Sequence, residues 1–284
     1  MYSTGIFTTH SVKMSAKRNE VTYLIPFGDV HKFAPNHDRD RWHEFLGWAK
    51  KKPNCYFLGM GDYMDMISCS ERKILDGELH DSTEQTLDEF MEQRTKEFAD
   101  ELSFMNGKLI GMIEGNHYWQ FGSGDTSTMR LCSYLKCKYL GVSAFIHLMI
   151  YNETEKSYYS TDVWAHHGKG ASKLIGGSLN RVEDMGRIAD ANIYLAGHDH
   201  RKSVGLGSKL TLRHQNGTTR LVHKKQIFAR TGSFLKGYVD GKKSYVADAC
   251  LSPTDLGVVK IELTLFDKSE NGMRERGIDI HASI

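Results

Sequence analysis

Val21-Thr22-Tyr23-Leu24-Ile25-Pro26-Phe27-Gly28-Asp29-Val30-His31 is an apolar, strand-like run that stops at a Gly-Asp pair, with a histidine two positions further on. The pattern recurs along the chain. Cys55 to Met60 runs into Gly61-Asp62-Tyr63-Met64-Asp65, and Leu109 to Ile113 runs into Gly115-Asn116-His117. Ser157 to Trp164 leads to His166-His167-Gly168, and Ile193 to Ala196 delivers Gly197-His198-Asp199-His200. Short apolar runs of this kind read as buried strands, so each polar motif sits where a strand ends and a loop begins.

Between the first three runs the apolar spacing is helical. Trp42, Phe45, Leu46 and Ala49 share one face of a helix expected from about Asp40 to Lys51. Leu87, Phe90, Met91, Phe98, Leu102 and Met105 form the stripe of a longer one, from about Ser82 to Asn106. Strand and helix alternating in this way predict a parallel-type α/β sheet. The second half is richer in strands. Leu140 to Tyr151 and Ser157 to Trp164 read as a hairpin turning at Asn152-Glu153-Thr154-Glu155. A helix is expected from Leu179 to Ala189 on the stripe Leu179, Val182, Met185 and Ile188, followed by strands within Leu221 to Phe234 and Gly257 to Phe266. Motifs in both halves must converge, so the expectation is one domain over residues 1–284, with a motif core over 21–234 and no internal repeat.

Composition narrows the classes. The 284 residues are 40% hydrophobic and 25% charged, ordinary for a soluble globular chain, and a net charge of +2 names no partner. Met1 to Glu20 lacks the apolar centre of a signal peptide, and no apolar run approaches the roughly 18 residues of a membrane span, so no membrane partner is expected. The five cysteines are odd in number and show no CxxC spacing, which points to a reduced, cytoplasmic location and makes Cys132 and Cys137 ordinary thiols.

The motifs supply Asp29, His31, Asp62, Asn116, His167, His198 and His200, all nitrogen or oxygen donors without a thiolate. That mix suits a pair of first-row divalent ions that hold a phosphate and activate water. Asp29 and His31 can turn toward one ion, although alone the pair would read as a turn with an Asp cap. Asp62 has two oxygens and could bridge two ions. His117 cannot easily reach the ion that its neighbour Asn116 would serve, and is free for proton transfer. His198 and His200 leave their strand on the same side and can serve adjacent ions.

The series D-x-H, GD, GNH, H before G and GHxH, in that order, resembles the calcineurin-like metallophosphoesterase superfamily. The resemblance spans Val21 to His200 and extends weakly to Thr231-Gly232-Ser233. It implies two mixed β-sheets packed face to face with flanking helices. It implies that Asp29, His31 and His200 bind one ion, that Asn116, His167 and His198 bind the other, and that Asp62 bridges them. His117 would be catalytic, protonating the leaving oxygen, with Asp65 orienting it. A hydroxide shared between ions about 3.5–4 Å apart would attack phosphorus in line. The position before glycine favours His167 over His166. The cofactor implied is two divalent metal ions, Mn²⁺ first, with Fe, Zn, Co and Ni also fitting the donors. Lys32, Tyr118 and Met66-Ile67 depart from the family pattern and weigh against a protein Ser/Thr phosphatase without removing a ligand.

From Arg201 to Lys243 the only acidic residue is Asp240, among Arg201, Lys202, Lys209, Arg213, Arg220, Lys224, Lys225, Arg230, Lys236, Lys242 and Lys243. Cations beside a phosphoester site suggest nucleic acid as substrate; a solvated basic β-surface is the plainer reading. Glu71 to Glu101 is acidic and would repel such a substrate. Gly168-Lys169-Gly170-Ala171-Ser172-Lys173 does not fit a phosphate-binding P-loop, but Lys169 or Lys173 could touch a substrate phosphate. Tyr63, Tyr118 and Trp119 could stack on a base or simply pack. The expected activity is a phosphodiesterase or nuclease. A phosphomonoesterase acting on a protein or small molecule, and a metal-bound but inactive interaction scaffold, are the alternatives.

Overall fold

The computed structural model describes residues 8–66, 80–170, 172–215, 217–242, 244–270 and 273–284. Cys69, Ile67, Lys243 and the acidic Glu71, Asp76 and Glu78 lie outside the described residues. The strands are β1 (Thr8–Ala16), β2 (Val21–Phe27), β3 (Cys55–Gly59), β4 (Leu109–Met112), β5 (Lys138–Tyr139), β6 (Ser143–Asn152), β7 (Ser157–His166), β8 (Ile193–Ala196), β9 (Lys202–Gln215), β10 (Thr218–Thr231), β11 (Lys260–Glu270) and β12 (Met273–Ser283). The principal helices are α1 (Arg39–Lys50), α2 (Asp81–Leu102), α3 (Ser127–Tyr134) and α4 (Ile175–Ile188).

Two mixed six-stranded sheets form, in the orders β1-β6-β7-β8-β10-β9 and β12-β11-β2-β3-β4-β5. The run β2-β3-β4-β5 is parallel, as the alternation of strand and helix predicts, and β11 adds antiparallel to β2. In the other sheet β7 and β8 are a parallel pair, and β8 is parallel to β10. The sheets pack face to face. Leu24, Leu58 and Ile110 of one meet Leu148, Val163, Ile193 and Ala229 of the other in a shared core. The alternate residues Ile25 and Phe57 point to the opposite face, where Trp42 and Leu46 of α1 and Phe98 and Leu102 of α2 cover them. Burial on both faces explains why β2 and β3 are apolar without alternation. On the far side, Val182 and Met185 of α4 cover Trp164, Tyr194 and Phe228. The result is a helix–sheet–sheet–helix sandwich.

Local differences from the sequence reading have physical causes. β1, β5, β9 and β12 are not legible as strands in the sequence, and all are at or beside a sheet edge. An edge strand buries little, so its sequence carries no apolar run. β1 shows this directly: its side chains alternate with only Met14 and Ala16 buried. The α4 stripe ends one turn early, since Ile188 is 72% exposed. Phe90 of α2 is half exposed, and only the C-terminal part of that helix's stripe reaches the main core. Its Leu87 and Met91 pack instead on Trp119 and Phe121. No described helix is long and apolar enough to cross a membrane.

The loop leaving β2 is fixed by His37, whose buried ring donates from Nδ1 to the Val30 carbonyl at 2.8 Å. Burial, reinforced by Lys32, lowers this imidazole to about 4 from its ordinary 6.5. The folded protein therefore holds His37 neutral, while the unfolded chain takes up a proton between those values. The contribution is complete above pH 6.5 and is lost as the pH falls toward 4, by up to roughly 3 kcal/mol. In urea unfolding at pH 7 and pH 4.5, His37→Gln should lose less stability between the two values than the unaltered protein. Equal losses would remove His37 as a source of acid sensitivity.

Candidate metal centre

All five motifs come together at the carboxyl ends of β2, β3, β4, β7 and β8, where α/β sheets bind ligands. Backbone hydrogen bonds set them side by side. Asp29 N donates to the Gly61 carbonyl at 2.9 Å and His31 N to the Asp62 carbonyl at 3.0 Å, so the first two loops continue the β2–β3 pairing. Gly197 N donates to the His167 carbonyl at 2.9 Å, extending β7–β8 in the same way.

Two carboxylates then tie the motifs together. Asp62 Oδ1 accepts the amides of Asn116 at 2.6 Å and His117 at 2.9 Å. Asp29 Oδ2 accepts the amide of His198 at 2.9 Å, across from the other sheet. Glycines make room for both. A Cβ on Gly115 would overlap the Asp62 carboxylate, and one on Gly197 would lie 2.7 Å from Asp29 Oδ2.

The remaining donor atoms form two clusters. In one, His167 Nε2 and His198 Nδ1 lie 3.0 and 2.8 Å from Asn116 Oδ1 and 3.3 Å from each other. Ligands bound at about 2.1 Å around one ion stand roughly 3.0–3.4 Å apart, so this triangle has the size of a coordination shell. In the other, His31 Nε2 is 3.2 Å from His200 Nε2, and His200 Nε2 is 3.7 Å from Asp29 Oδ1. Asp62 Oδ2 lies between the clusters, 3.3 Å from His167 Nε2 and 3.8 Å from His31 Nε2. These are the two groups of donors, and the shared carboxylate, that the sequence resemblance leads one to expect.

The donor set fits cations on two further observations. Asp29 Oδ1 is buried and receives no hydrogen bond, a costly state for a carboxylate oxygen unless a cation faces it. His167 donates from Nδ1 to the Met60 carbonyl at 2.7 Å, which leaves the Nε2 lone pair aimed into its cluster. The electrostatics agree. Burial pushes Asp29 up to about 7, with Asp62 adding to the rise. Burial also opposes ionisation of Asp62, but His167, His31 and His117 hold its carboxyl far below the usual range. Burial drives His200 down to about 3, with His31 adding to the effect, and lowers His198 as well. Against burial, Asp62 and Asp29 raise His167 to about 9, and Asp65, Asp62 and Asp29 raise His31. Each cluster thus holds one neutral imidazole and one that demands a positive charge, which a proton or a metal ion can supply.

Asp29, His31, Asp62, His198 and His200 all have positive φ, at 46°, 45°, 49°, 74° and 59°. Non-glycine residues rarely adopt this conformation, and its concentration at donor positions marks a strained, over-determined site. His117 stands beside the clusters, its ring centroid 4.8 Å from that of His31. Its Nδ1 is 3.0 Å from Asp65 Oδ1, an ion-pair distance without hydrogen-bond alignment, and Asp65 also reaches His31 Nδ1 at 3.5 Å. His166 turns away and accepts the Gly168 amide at 2.7 Å, so His167 is the member of the pair brought into the centre.

The residues expected to face substrate are placed differently. Tyr63 and Trp119 are buried, with Tyr63 Oη bonded to the Ile113 carbonyl and Trp119 Nε1 to Asp88. Much of the basic tract is used locally. Lys202, Lys224, Lys225 and Lys236 pair with Asp255, Asp190, Asp279 and Asp38, and Lys209 donates to the Gly186 carbonyl.

Arg230, from the same tract, is fully buried beneath the Gly197-His198-Asp199-His200 turn. It donates to the carbonyls of Gly197 at 2.8 Å and Ser178 at 3.0 Å and lies 3.3 Å from Asp199 Oδ2, which also accepts from Ser178 Oγ. Its place on a strand beside apolar Ile227 and Phe228 is the only hint of burial in the sequence.

No family model matches the chain, and no curated protein matches it. Among solved structures it is similar to Vacuolar Protein Sorting 29 from Cryptosporidium parvum, at 12% identity over 93% of this chain and 99% of that one, with a TM-score of 0.36. It is also similar to a conserved uncharacterized protein, a predicted phosphoesterase from Streptococcus pneumoniae TIGR4, at 11% identity over 92% and 99%, with a TM-score of 0.31. TM-scores this low carry no weight beside the geometry of the site.

Arg230→Met should destabilise the protein by about 3–5 kcal/mol, because it leaves Asp199 buried without its cation. The double variant Arg230→Met/Asp199→Leu should recover part of that loss. Thermal melts of the single and double variants, with and without Mn²⁺, measure both effects.

Proposed function

We propose that this protein is a dimetal-dependent phosphoester hydrolase, a phosphodiesterase or nuclease. The observation that carries the proposal is Asp62 Oδ2, held between two imidazole clusters while its partner oxygen is occupied by backbone amides. One carboxylate oxygen shared by two donor sets is what a pair of adjacent ions requires. On this reading Asp29, His31 and His200 hold one ion and Asn116, His167 and His198 the other, with Asp62 common to both. Two such ions would neutralise a phosphate and lower the pKa of a bound water.

The chain's own residues supply the rest. His117 adjoins both Asp65 and His31 without belonging to either donor triangle, so its Nε2 is available to protonate the leaving oxygen. Asp65 is held ionised by the His117 and His31 contacts and stands 3.0 Å from His117 Nδ1, placed to orient that ring. Donors without a thiolate favour Mn²⁺ as the first ion to test, before Fe, Zn, Co and Ni.

Purified protein should bind two Mn²⁺ ions by calorimetry, and Asp62→Ala should abolish binding of at least one. With Mn²⁺ loaded, bis-(p-nitrophenyl) phosphate should be cleaved faster than the monoester. The reverse preference would favour a monoesterase, and cleavage of neither would favour a non-catalytic role. His117→Ala should keep both ions and lose about 10²–10⁴-fold in kcat, the usual cost of a missing general acid. Full activity in that variant would remove His117 from the chemistry.

A further inference from the structure

Residues 168–170 leave β7 directly after His167, and Ser172 and Lys173 are held beside Arg201. Gly168, at φ +105, packs so tightly that a Cβ there would lie 2.8 Å from the Gly197 carbonyl oxygen and 3.2 Å from the His198 Cβ. Two arginines then pin the segment from opposite flanks. Arg181, on α4, donates from Nη1 to the Lys169 carbonyl at 2.9 Å. Arg201, the residue after His200, donates from Nη2 to the carbonyls of Lys173 at 3.0 Å and Ser172 at 3.3 Å. A neutral carbonyl uses one or two of a guanidinium's five donors and none of its charge.

Lys169, Lys173 and Arg181 are exposed and Arg201 is half-buried. Among the described residues none of these four cations has a carboxylate partner, whereas Lys202, Lys224, Lys225, Lys236 and Arg230 all do. Lys209, Arg213, Arg220 and Lys242 of the tract also have no carboxylate partner among the described residues, but Lys169, Lys173, Arg181 and Arg201 are the ones that line the flank beginning at His167 and closing beside His200. Leu174 and Ile175 follow at once, 75% and 63% exposed, the former the most exposed large hydrophobic among the described residues. Cations next to an uncovered apolar step match a ligand that alternates phosphate with apolar sugar and base faces.

We infer that this ledge binds the phosphate flanking the scissile one in a single-stranded nucleic acid, with Leu174 and Ile175 under the adjoining nucleoside. The inference rests on the phosphodiesterase reading above. It goes further in assigning the polymeric substrate and the side of the centre on which the strand lies. Inorganic or inositol polyphosphates offer the charge but nothing to cover the leucine and isoleucine.

The test compares Mn²⁺-loaded protein acting on a short single-stranded oligonucleotide and on bis-(p-nitrophenyl) phosphate, which has no flanking phosphate. In Lys169→Gln/Lys173→Gln and in Arg181→Gln, the ratio of the two kcat/KM values should fall about tenfold toward the small substrate, mainly through KM. A ratio within twofold of the unaltered protein overturns the ledge and leaves the hydrolase reading standing.

Binding is read separately by fluorescence anisotropy of the oligonucleotide in the His117→Ala background. There the slope of log Kd against log salt should drop by about 0.7 for each phosphate that the variant no longer neutralises. Leu174→Ser should weaken the oligonucleotide and not tripolyphosphate; equal effects on both overturn the nucleic-acid assignment. A protein that cleaves neither substrate, yet whose oligonucleotide binding weakens in these variants, would refute hydrolysis and keep the ledge.

Discussion

Two buried carboxylates, Asp29 and Asp62, divide their oxygens between holding the scaffold and facing the site. Each gives one oxygen to the amide of a distant motif, His198 for Asp29 and Asn116 with His117 for Asp62. Each leaves its second oxygen to the space where the imidazoles converge. Because Asp29 belongs to one sheet and His198 to the other, the first of these bonds also fixes the sheets relative to each other at the mouth of the sandwich. The circuit closes through Asp29 N to Gly61, His167 Nδ1 to Met60, Gly197 N to His167 and His198 N to Asp29. None of Asp29, His167 and His198 can shift alone without breaking a bond in this ring.

The ring also explains how the strained backbone is tolerated. A left-handed conformation at a non-glycine residue costs of order 1 kcal/mol or more, and five donors adopt it. An extended strand would keep Asp29 with His31, and His198 with His200, on one face but hold the members of each pair roughly 7 Å apart along the chain. The left-handed turns aim all four into one small volume. Arg230 beneath the last turn serves the same end, directing its charge to Asp199 and its donors to the carbonyls of Gly197 in that turn and Ser178 on α4.

Some of this is plain in the sequence and some of it is hidden. β2, β3 and β8 are buried on both faces, so their apolar runs are unbroken and their ends unmistakable. The donors follow those ends directly, which is why they can be read without any geometry. Edge strands such as β9 have no such signal: Leu206, Leu210 and Leu212 lie on one face of it and all are exposed. Charge is the least legible property. A tract from Arg201 to Lys243 looks uniform as letters, yet it divides into a buried clamp at Arg230, surface pairs such as Lys224 with Asp190, and the carboxylate-free Arg201. Which of these a cation becomes depends on acids distant in sequence, which no local pattern records.

The hydrogen bond between His198 and Asp29 spans 169 positions. Phe234 N and Ser233 Oγ add bonds to the Asp29 carbonyl from later still. On a ribosome adding 5–20 residues each second, the interval between emergence of the first donor and the last of these contacts is roughly 10–40 s. During that time Asp62 can already be bound by the Asn116 and His117 amides, while Asp29 has neither its amide nor its facing imidazole. The half-made centre offers an ion few of its donors. On the proposed reading, an ion would meet its full set of donors only after residues 198–200 have joined, and a chain stalled before residue 198 would complete neither cluster.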